Sequence, residues 1–369
     1  MDSDHIYIIV DFLSSFILGV AIIRLLLRVA YHNRLFDMPG QRKVHSIPVP
    51  RLGGIAFLPT LFVVFAFTIA SLYRLEMVHT SFADNILFVR TTYMLGSAMI
   101  LYIVGVADDL SDITYKTKFI FQFLAAVVMV FSGLWIKNLY GLFGVHAIPD
   151  YVGIPLTVLL LMFVMNALNF IDGIDGLAAG ITLVSLACFT AIYVFERRFV
   201  YAMVSVVTAG VVFAFWLFNV FGKPEKETKL YMGDTGSLTL GLILSFLLLN
   251  LGTFIGHNGP TRNCKYFVIA FSSLMIPLLD VLRLVVYRIR HHRSPFLPDM
   301  NHIHHKLMQL GLSARQTLWT ILGADVILIL LNAFFSRYVN VNILLVADIL
   351  LYCVTVGLLT RKILEKGKT

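Results

Sequence analysis

The sequence has little charge. Only 14% of its 369 residues are Asp, Glu, Lys or Arg, and 59% are hydrophobic, whereas a soluble domain has roughly 25% charged and 45–50% apolar residues. This composition excludes an ordinary soluble protein and leaves no room for a separate soluble domain. We therefore predict one multi-span membrane domain over residues 1–369, with the motif-bearing core at about 42–312.

Cysteine and targeting signals are also scarce. Cys188, Cys264 and Cys353 form no C-x-x-C pair, which argues against a disulfide framework or a zinc site. The N-terminus lacks the basic segment and small-residue cleavage site of a signal peptide, so its first apolar segment is predicted to be a retained span. The net charge of +8 comes without a basic stripe or a nucleic-acid motif, and no nucleic-acid partner is expected.

Apolar runs long enough to cross a bilayer, about 20 residues each, recur along the whole chain. They predict an all-α, polytopic integral membrane protein with about eleven transmembrane helices, and the odd number puts the termini on opposite sides. The runs lie near 6–30, 52–73, 88–107, 119–137, 153–170, 176–195, 199–221, 236–255, 266–288, 317–336 and 340–360.

The loops between the runs differ in positive charge. Most of the 29 Lys and Arg residues fall in one alternating set of loops, which the positive-inside rule assigns to the cytoplasm, with the N-terminus outside. Five unusual polar clusters fall in the same set, at 42–54, 107–118, 166–176, 231–237 and 291–306. We therefore predict that the helices gather them into a single site facing the cytosol.

Acidic residues crowd the cluster at 107–118. Asp108, Asp109 and Asp112 place three carboxylates within five residues, and a helix would put the first and last on one face, where like charges repel. A divalent cation or a shared proton would relieve the repulsion. A solvated helix end is the alternative interpretation.

The cluster NALNFIDGIDG offers four side-chain oxygens between two apolar runs, from Asn166, Asn169, Asp172 and Asp175. Such oxygens suit a hard cation such as magnesium, and ionisable groups at membrane depth are usually functional. The alternative is a helix cap and turn without a ligand.

The cluster GDTGS places Asp234 just before a predicted helix. Free N–H groups in the first turn could meet a phosphate, and Asp234 could hold a metal that the phosphate also binds. A plain helix cap explains Asp234 equally well. The cluster is not a P-loop, because G-x-x-x-x-G-K-[ST] is absent.

Histidines and basic residues complete the polar clusters. His302, His304 and His305 could bind zinc or contact phosphate and sugar oxygens; the oxygen-rich clusters favour the second role, and a solvated basic loop is the alternative. Basic side chains that could neutralise phosphates, or merely mark the cytoplasmic side, are Lys43, Arg51, Lys116 and Lys118.

The run at 266–288 also contains ionisable residues. Asp280 and Arg283 are three residues apart on one helical face and are predicted to pair with each other. Pro277, just before them, is predicted to break the helix and bend its cytoplasmic half towards the site.

Together the clusters indicate a site that joins a soluble pyrophosphate compound to a lipid. No Cys or G-x-S-x-G nucleophile is evident, so the nucleophile is expected to belong to the lipid. A phosphate monoester, with a second pKa of about 6, would be largely dianionic at neutral pH and needs no strong base.

The motifs GVADDLSDITYKTK, NALNFIDGIDGLAAG, MGDTGSLTLG and SPFLPDMNHIHHKLMQLGLS closely resemble those of the bacterial polyprenyl-phosphate N-acetylhexosamine-1-phosphate transferases. The segment RKVHSIPVPRLGG resembles the family's first cytoplasmic loop. The resemblance implies transfer of a sugar 1-phosphate from a UDP-N-acetylhexosamine to undecaprenyl phosphate with release of UMP, and Mg²⁺ as cofactor, with Mn²⁺ as an alternative.

The resemblance also implies residue roles. Asp108, with Asp109 beside it, would contact or deprotonate the lipid phosphate, and Asp234 would bind the metal. Asn169 would contribute to the metal site and, with Asp172, frame metal and nucleotide. The remaining substrate-binding positions implied are Lys43, Arg51, Lys118, Asn166, Asp175, His302, His304 and His305.

The donor and the pathway stay open within the superfamily. The pattern His302-Ile303-His304-His305 differs from the three consecutive histidines of phospho-N-acetylmuramoyl-pentapeptide transferases. It is closer to enzymes that start O-antigen, enterobacterial common antigen, teichoic acid or capsule synthesis, which favours UDP-N-acetylglucosamine over UDP-N-acetylgalactosamine or a deoxy amino sugar. The implied location is the bacterial cytoplasmic membrane, with a homodimer left open.

Other classes of protein fit the sequence less well. A cation-coupled transporter would bind near the bilayer midplane and often shows repeated halves, neither of which is seen here. A structural scaffold would not need five polar clusters on one side. The mechanism is open between direct attack of the lipid phosphate and a two-step route through an aspartyl phosphate.

Overall fold

The computed structural model describes residues 3–36, 48–74, 82–253, 260–292, 294 and 301–366. Within these ranges the chain forms thirteen α-helices and one two-stranded sheet. The helices are α1 (Ser3–His32), α2 (Phe57–Arg74), α3 (Phe82–Ser111), α4 (Tyr115–Val130), α5 (Asp150–Ile171), α6 (Leu177–Phe195), α7 (Phe199–Phe221), α8 (Gly233–Thr253), α9 (Pro260–Ser272), α10 (Met275–Arg290), α11 (Ile303–Gln309), α12 (Ala314–Phe335) and α13 (Val341–Lys366).

The helices confirm an all-α, polytopic membrane protein. In the described part of the chain, nine helices are long and apolar enough to cross a bilayer, and α9 with α10 makes a tenth when the pair is taken as one span. The remaining predicted run, at 119–137, is helical only as α4. The 16 residues of α4 extend about 24 Å, which is short of the roughly 30 Å hydrocarbon core. Gly133, with φ +78°, follows the end of α4 in the left-handed conformation that terminates helices.

A short β-hairpin lies between α4 and α5. Its strands, β1 (Asn138–Leu142) and β2 (Val145–Ala147), pair antiparallel. This hairpin is not predicted by the sequence, because strands of five and three residues are too short to carry a recognisable hydrophobic period.

The centre of the bundle is α8, which is buried along almost its whole length between α3, α5, α6 and α9. Around it, α1 packs on α7 and α7 on α6. On the outside of the bundle, large apolar side chains are exposed, such as Phe67 on α2 (75%) and Leu159 on α5 (65%). A surface of this kind suits contact with lipid rather than water.

The span formed by α9 and α10 is broken, with an angle of 67° between its halves. The break falls at Ser273–Leu274, and Pro277 is the third residue of α10. Because proline lacks an N–H and clashes with the preceding turn, Pro277 fits the first turn of α10 better than the middle of an unbroken span. The predicted helix break near Pro277 is confirmed.

Candidate active site

Two loops meet at one end of the bundle, here called the site end, where α3 and α10 end and α8 begins. The N–H groups of Gly53 and Gly54 donate to the carbonyls of Tyr231 and Met232, at 2.9 and 2.8 Å. Gly54 lies so close to α8 that a Cβ atom there would be 2.1 Å from the nitrogen of Gly236. This close contact fixes the segment before α2 against the start of α8.

Three carboxylates from two helices converge at the site end. Oxygens of Asp108 and Asp109, at the end of α3, and of Asp234, in the first turn of α8, all lie within 4.8 Å of one another. We call these residues the acidic cluster. The trio expected from sequence is not the one that forms: Asp112 lies beyond α3, is exposed and has φ +49°, because the helix ends at Ser111 and turns the next residue outward.

Asp109 caps α8. Its carboxylate accepts hydrogen bonds from the backbone N–H of Asp234 (2.8 Å) and from the N–H and hydroxyl of Thr235 (3.1 and 2.6 Å). These N–H groups belong to the helix start, where no intrahelical acceptor exists. Gly233, with φ +75°, leaves room for the cap, since a Cβ atom there would lie 2.4 Å from an Asp109 oxygen. Asp109 therefore holds α3 to α8 and orients Asp234.

Two cations balance the acidic cluster. The Lys118 ammonium bridges Asp108 (2.6 Å) and Asp234 (2.7 Å). The Arg51 guanidinium donates to the other oxygen of Asp234 at 3.2 Å and lies 4.0 Å from Asp109. With three carboxylates ionised against two cations, one negative charge remains. This donor set of hard oxygens with excess negative charge is one that a divalent cation of the magnesium class prefers.

The last turn of α5 and the residue after it bring two further predicted residues to the acidic cluster. Asn169 donates from Nδ2 to the Ser237 hydroxyl at 2.9 Å, and its side chain lies within reach of the Asp234 carboxylate. Asp172 is half-buried, and burial raises its pKa from 3.8 to about 7, with the favourable charge of Arg51 opposing the shift. Asp172 can therefore hold or release a proton near neutral pH.

Asn166 and Asp175 have partners of their own. Asn166 exchanges hydrogen bonds with Gln122 on α4, of which the one from Asn166 Nδ2 is 2.7 Å. Asp175 forms an ion pair of 2.5 Å with Lys229. The first contact joins α4 to α5, and the second joins the turn after α5 to the segment before α8. The structure thus engages both residues with partners outside the acidic cluster.

The histidine motif lies against the turn after α5. His304 is 1% exposed, and its ring is so close to Gly173 that a Cβ atom there would be 2.2 Å from Nε2. Burial and the neighbouring histidines lower its pKa to about 3, so the ring is neutral at physiological pH. Neither ring nitrogen has a hydrogen-bond partner in the described part of the chain. The ring centroids of His302 and His304 are 5.6 Å apart and the rings stack, and the centroids of His304 and His305 are 4.2 Å apart.

Asp280 has more partners at the site than its sequence spacing predicts. Its predicted pairing with Arg283 is confirmed at 2.9 Å, but the same carboxylate also accepts from His302 Nδ1 (2.8 Å) and from the Tyr352 hydroxyl (2.8 Å). The available signal was its position inside an apolar span, where a buried acid is expensive and usually functional.

The predicted residues thus fall into three groups. One group forms or adjoins the acidic cluster, and consists of Arg51, Asp108, Asp109, Lys118, Asn169, Asp172 and Asp234. A second packs against the turn after α5, and consists of His302, His304 and His305. Asn166 and Asp175 pair with neighbouring groups, and Lys43 lies outside the described residues.

Known proteins resemble the chain over most of its length. A model of the family described as glycosyl transferase family 4 matches residues 91–252. An Escherichia coli (strain K12) protein, undecaprenyl-phosphate alpha-N-acetylglucosaminyl 1-phosphate transferase, is 30% identical over 93% of this chain and 88% of its own length. A Bacillus subtilis (strain 168) protein, named as a probable undecaprenyl-phosphate N-acetylglucosaminyl 1-phosphate transferase, is 31% identical over 87% of this chain and 83% of its own. The chain belongs to glycosyl transferase family 4.

The family assignment agrees with the site geometry. The Mycobacterium leprae protein decaprenyl-phosphate N-acetylglucosaminephosphotransferase is 32% identical over 75% of this chain and 71% of its own length. The residues that the family model matches extend from α3 to α8 and include the whole acidic cluster. The resemblance seen in the sequence motifs is confirmed, and the family 4 protein described here is an enzyme, a membrane-embedded transferase.

Proposed function

We propose that this family 4 transferase moves N-acetylglucosamine 1-phosphate from UDP-N-acetylglucosamine to undecaprenyl phosphate and releases UMP. The names of the E. coli and B. subtilis relatives support this donor and acceptor. A cation-coupled transporter is not favoured, since the relatives are named as transferases.

The observation that carries the proposal is the acidic cluster with its two cations. Two phosphorylated substrates must meet in this reaction, and each brings negative charge to one place. Lys118 and Arg51 provide fixed positive charge within 3.2 Å of Asp234. Charged groups fixed in a partly buried site stabilise phosphate charge more strongly than the same groups do in water.

The proposed step is a direct displacement at phosphorus. A phosphate oxygen of the lipid attacks the β-phosphorus of the donor and forms a new P–O bond. The bond between this phosphorus and the oxygen that links it to the α-phosphorus breaks, and UMP leaves with the electron pair. The Asp108 carboxylate, which accepts from Lys118 (2.6 Å) and from the N–H of Ile113 (2.8 Å), is not the nucleophile in this proposal.

We include a magnesium ion in the proposal. The oxygens of Asp234 and Asp108, with the amide oxygen of Asn169, are the residues that would hold it, because they supply hard ligands where negative charge exceeds positive charge. When bound, the ion would offset pyrophosphate charge. In this proposal Asp172, with its pKa near neutrality, adjusts the charge of the site by taking up or releasing a proton.

We propose that the site end faces the cytoplasm, where UDP-sugars are made, in the cytoplasmic membrane of a bacterium. The excess of Lys and Arg in the loops of the site end supports this orientation. The lipid-linked product would start a cell-surface polysaccharide, such as O-antigen, teichoic acid or the carbohydrate of lipopolysaccharide.

The test is UMP release by the detergent-purified full chain, given Mg²⁺, undecaprenyl phosphate and UDP-N-acetylglucosamine. We expect release that requires the lipid and is lost in the variant Asp234→Asn. The matched control is Asp112→Asn, which alters an exposed acid outside the acidic cluster and should keep wild-type turnover. Release from UDP-N-acetylgalactosamine alone would overturn the donor. No release from any UDP-sugar would overturn the proposed function.

A further inference from the structure

The carboxylate of Asp280 is completely buried on α10, yet it contacts the histidine motif rather than the lipid-facing surface. Its Oδ2 accepts from His302 Nδ1 at 2.8 Å, and its Oδ1 accepts from the N–H of Ile303 at 3.2 Å. Both contacts cross from α10 to the first turn of α11. A buried carboxylate placed in this way determines which ring nitrogen of a histidine carries the proton.

We propose that Asp280 is a positioning residue, which fixes the orientation and tautomer of His302 so that its Nε2 is presented to the donor nucleotide. Because Nδ1 faces the Asp280 carboxylate, Nε2 lies at the opposite edge of the ring. No described residue forms a hydrogen bond with Nε2 of His302. This inference rests on the proposed function, in which the histidine motif contacts the donor.

The surroundings of His302 keep the ring in this orientation. One face stacks on His304 with planes 13° apart, and Phe170, two residues before Asp172, lies 6.1 Å away. His304 itself packs on Gly173. The ring held by Asp280 is therefore tied to the same turn that carries Asp172 beside the acidic cluster.

Asp280 is itself held by groups from two helices. Arg283 donates to its Oδ1 at 2.9 Å and, with the same nitrogen, to the carbonyl of Asn301 at 2.6 Å. The hydroxyl of Tyr352, on α13, donates to Oδ1 at 2.8 Å. The carboxylate cannot turn without breaking several of these bonds. Through Tyr352, the last helix of the chain thus supports a site whose other residues lie at 51–305.

A purely structural role for Asp280, as the partner of Arg283, makes a different prediction. If Asp280 acts through His302, removing its charge should matter only while His302 is present. If it only stabilises the fold, its effect should be the same with or without that ring. A double-mutant cycle on the kinetic constants separates these cases.

The experiment measures UMP release against UDP-N-acetylglucosamine concentration for the wild type, Asp280→Asn, His302→Gln and the double variant. We expect Asp280→Asn to raise the donor KM and lower kcat/KM by about 10–100-fold, the loss seen when a metal-binding histidine loses the partner that orients it. The KM for the lipid should not change. The double variant should match His302→Gln within about two-fold. The matched control is Asp348→Asn. Asp348 is another aspartate in a membrane-spanning helix, its carboxylate accepts a hydrogen bond from a side-chain amide, and the variant should behave as wild type.

The outcomes separate failure of the inference from failure of the proposed function. If the losses in kcat/KM of the two single variants multiply in the double variant, Asp280 and His302 act independently. That result would overturn the positioning role and leave the proposed function intact. Wild-type kinetics in His302→Gln would remove His302 from the donor site, and with it the inference, while lipid-dependent UMP release would still support the transfer reaction. If Asp280→Asn does not fold, Tyr352→Phe replaces it in the cycle, with an expected loss of about 3–10-fold that disappears beside His302→Gln; a loss that persists would overturn the proposal.

Discussion

Replacing Asp109 by alanine removes the acceptor of three donors at the start of α8. The donors are the N–H groups of Asp234 and Thr235 and the hydroxyl of Thr235, at 2.6–3.1 Å from the carboxylate. The Asp109 side chain is 0% exposed, so these donors would remain buried without a partner. We therefore predict a loss of stability in addition to any loss of chemistry.

The size of the effect follows from the number of donors. Each buried donor left without an acceptor costs about 1–3 kcal/mol. Water can enter beside Arg51, which is 29% exposed, so the lower limit applies and Asp109→Ala should lower the free energy of unfolding by about 3 kcal/mol. Asp109→Asn keeps one acceptor oxygen and should lose about half as much.

The assay is equilibrium unfolding by SDS in mixed micelles, with helicity as the signal. Asp112→Ala serves as the control, because it removes an exposed carboxylate three residues away and should change stability by no more than about 0.5 kcal/mol. An Asp109→Ala variant as stable as that control would refute the capping role.

Three further predictions concern the same site. Lys118→Met should reduce kcat/KM for UMP release by about 10²-fold or more, since it removes the charge between two carboxylates; wild-type kinetics would exclude Lys118 from the site. Gly173→Ala should raise the donor KM several-fold because the added Cβ would displace His304, whereas Gly96→Ala, with nothing within 4 Å, should not; equal kinetic constants would contradict this contact. Asp172→Asn should stabilise the protein above about pH 7, where the wild-type side chain is charged, and the gain in stability should vanish near pH 4. The reason is that the pKa of Asp172 is 3.8 in the unfolded chain and about 7 in the folded protein. A difference in melting temperature between variant and wild type that is independent of pH would contradict the raised pKa.

The sequence was most informative about the membrane-spanning helices, because a bilayer imposes length and apolarity on every span. Each of the eleven predicted runs contains a helix. The short α4 is the instructive difference. Its apolar residues continue past Val130, but Ser132 and Gly133 form a turn there, and an apolar run does not reveal where a backbone turns.

The composition of the acidic cluster was harder to predict. Consecutive residues on a helix point about 100° apart, so Asp108 and Asp109 face different neighbours: Lys118 for the first and the start of α8 for the second. Which helix packs beside α3 depends on the tertiary structure. For the same reason Asp112, although close in sequence, is exposed and lies outside the acidic cluster.

The role of Asp280 depends on contacts that are still more distant in the chain. Its partners His302 and Tyr352 lie 22 and 72 residues away, and neither spacing has a helical or strand period. From sequence, only the pairing with Arg283 three residues away could be predicted. A buried acid inside a span was a reason to look for a polar partner, but the identity of that partner required the structure.

The central claim is that the enzyme transfers a sugar together with its phosphate, and the most direct test follows that phosphorus. UDP-N-acetylglucosamine labelled with ³²P at the β-phosphate is incubated with the purified full chain, Mg²⁺ and undecaprenyl phosphate, and the products are separated into lipid and aqueous fractions. Our account predicts that the label moves to the lipid and that the released nucleotide is unlabelled UMP. Label that stays in the aqueous fraction as UDP, with the sugar on the lipid, would contradict it.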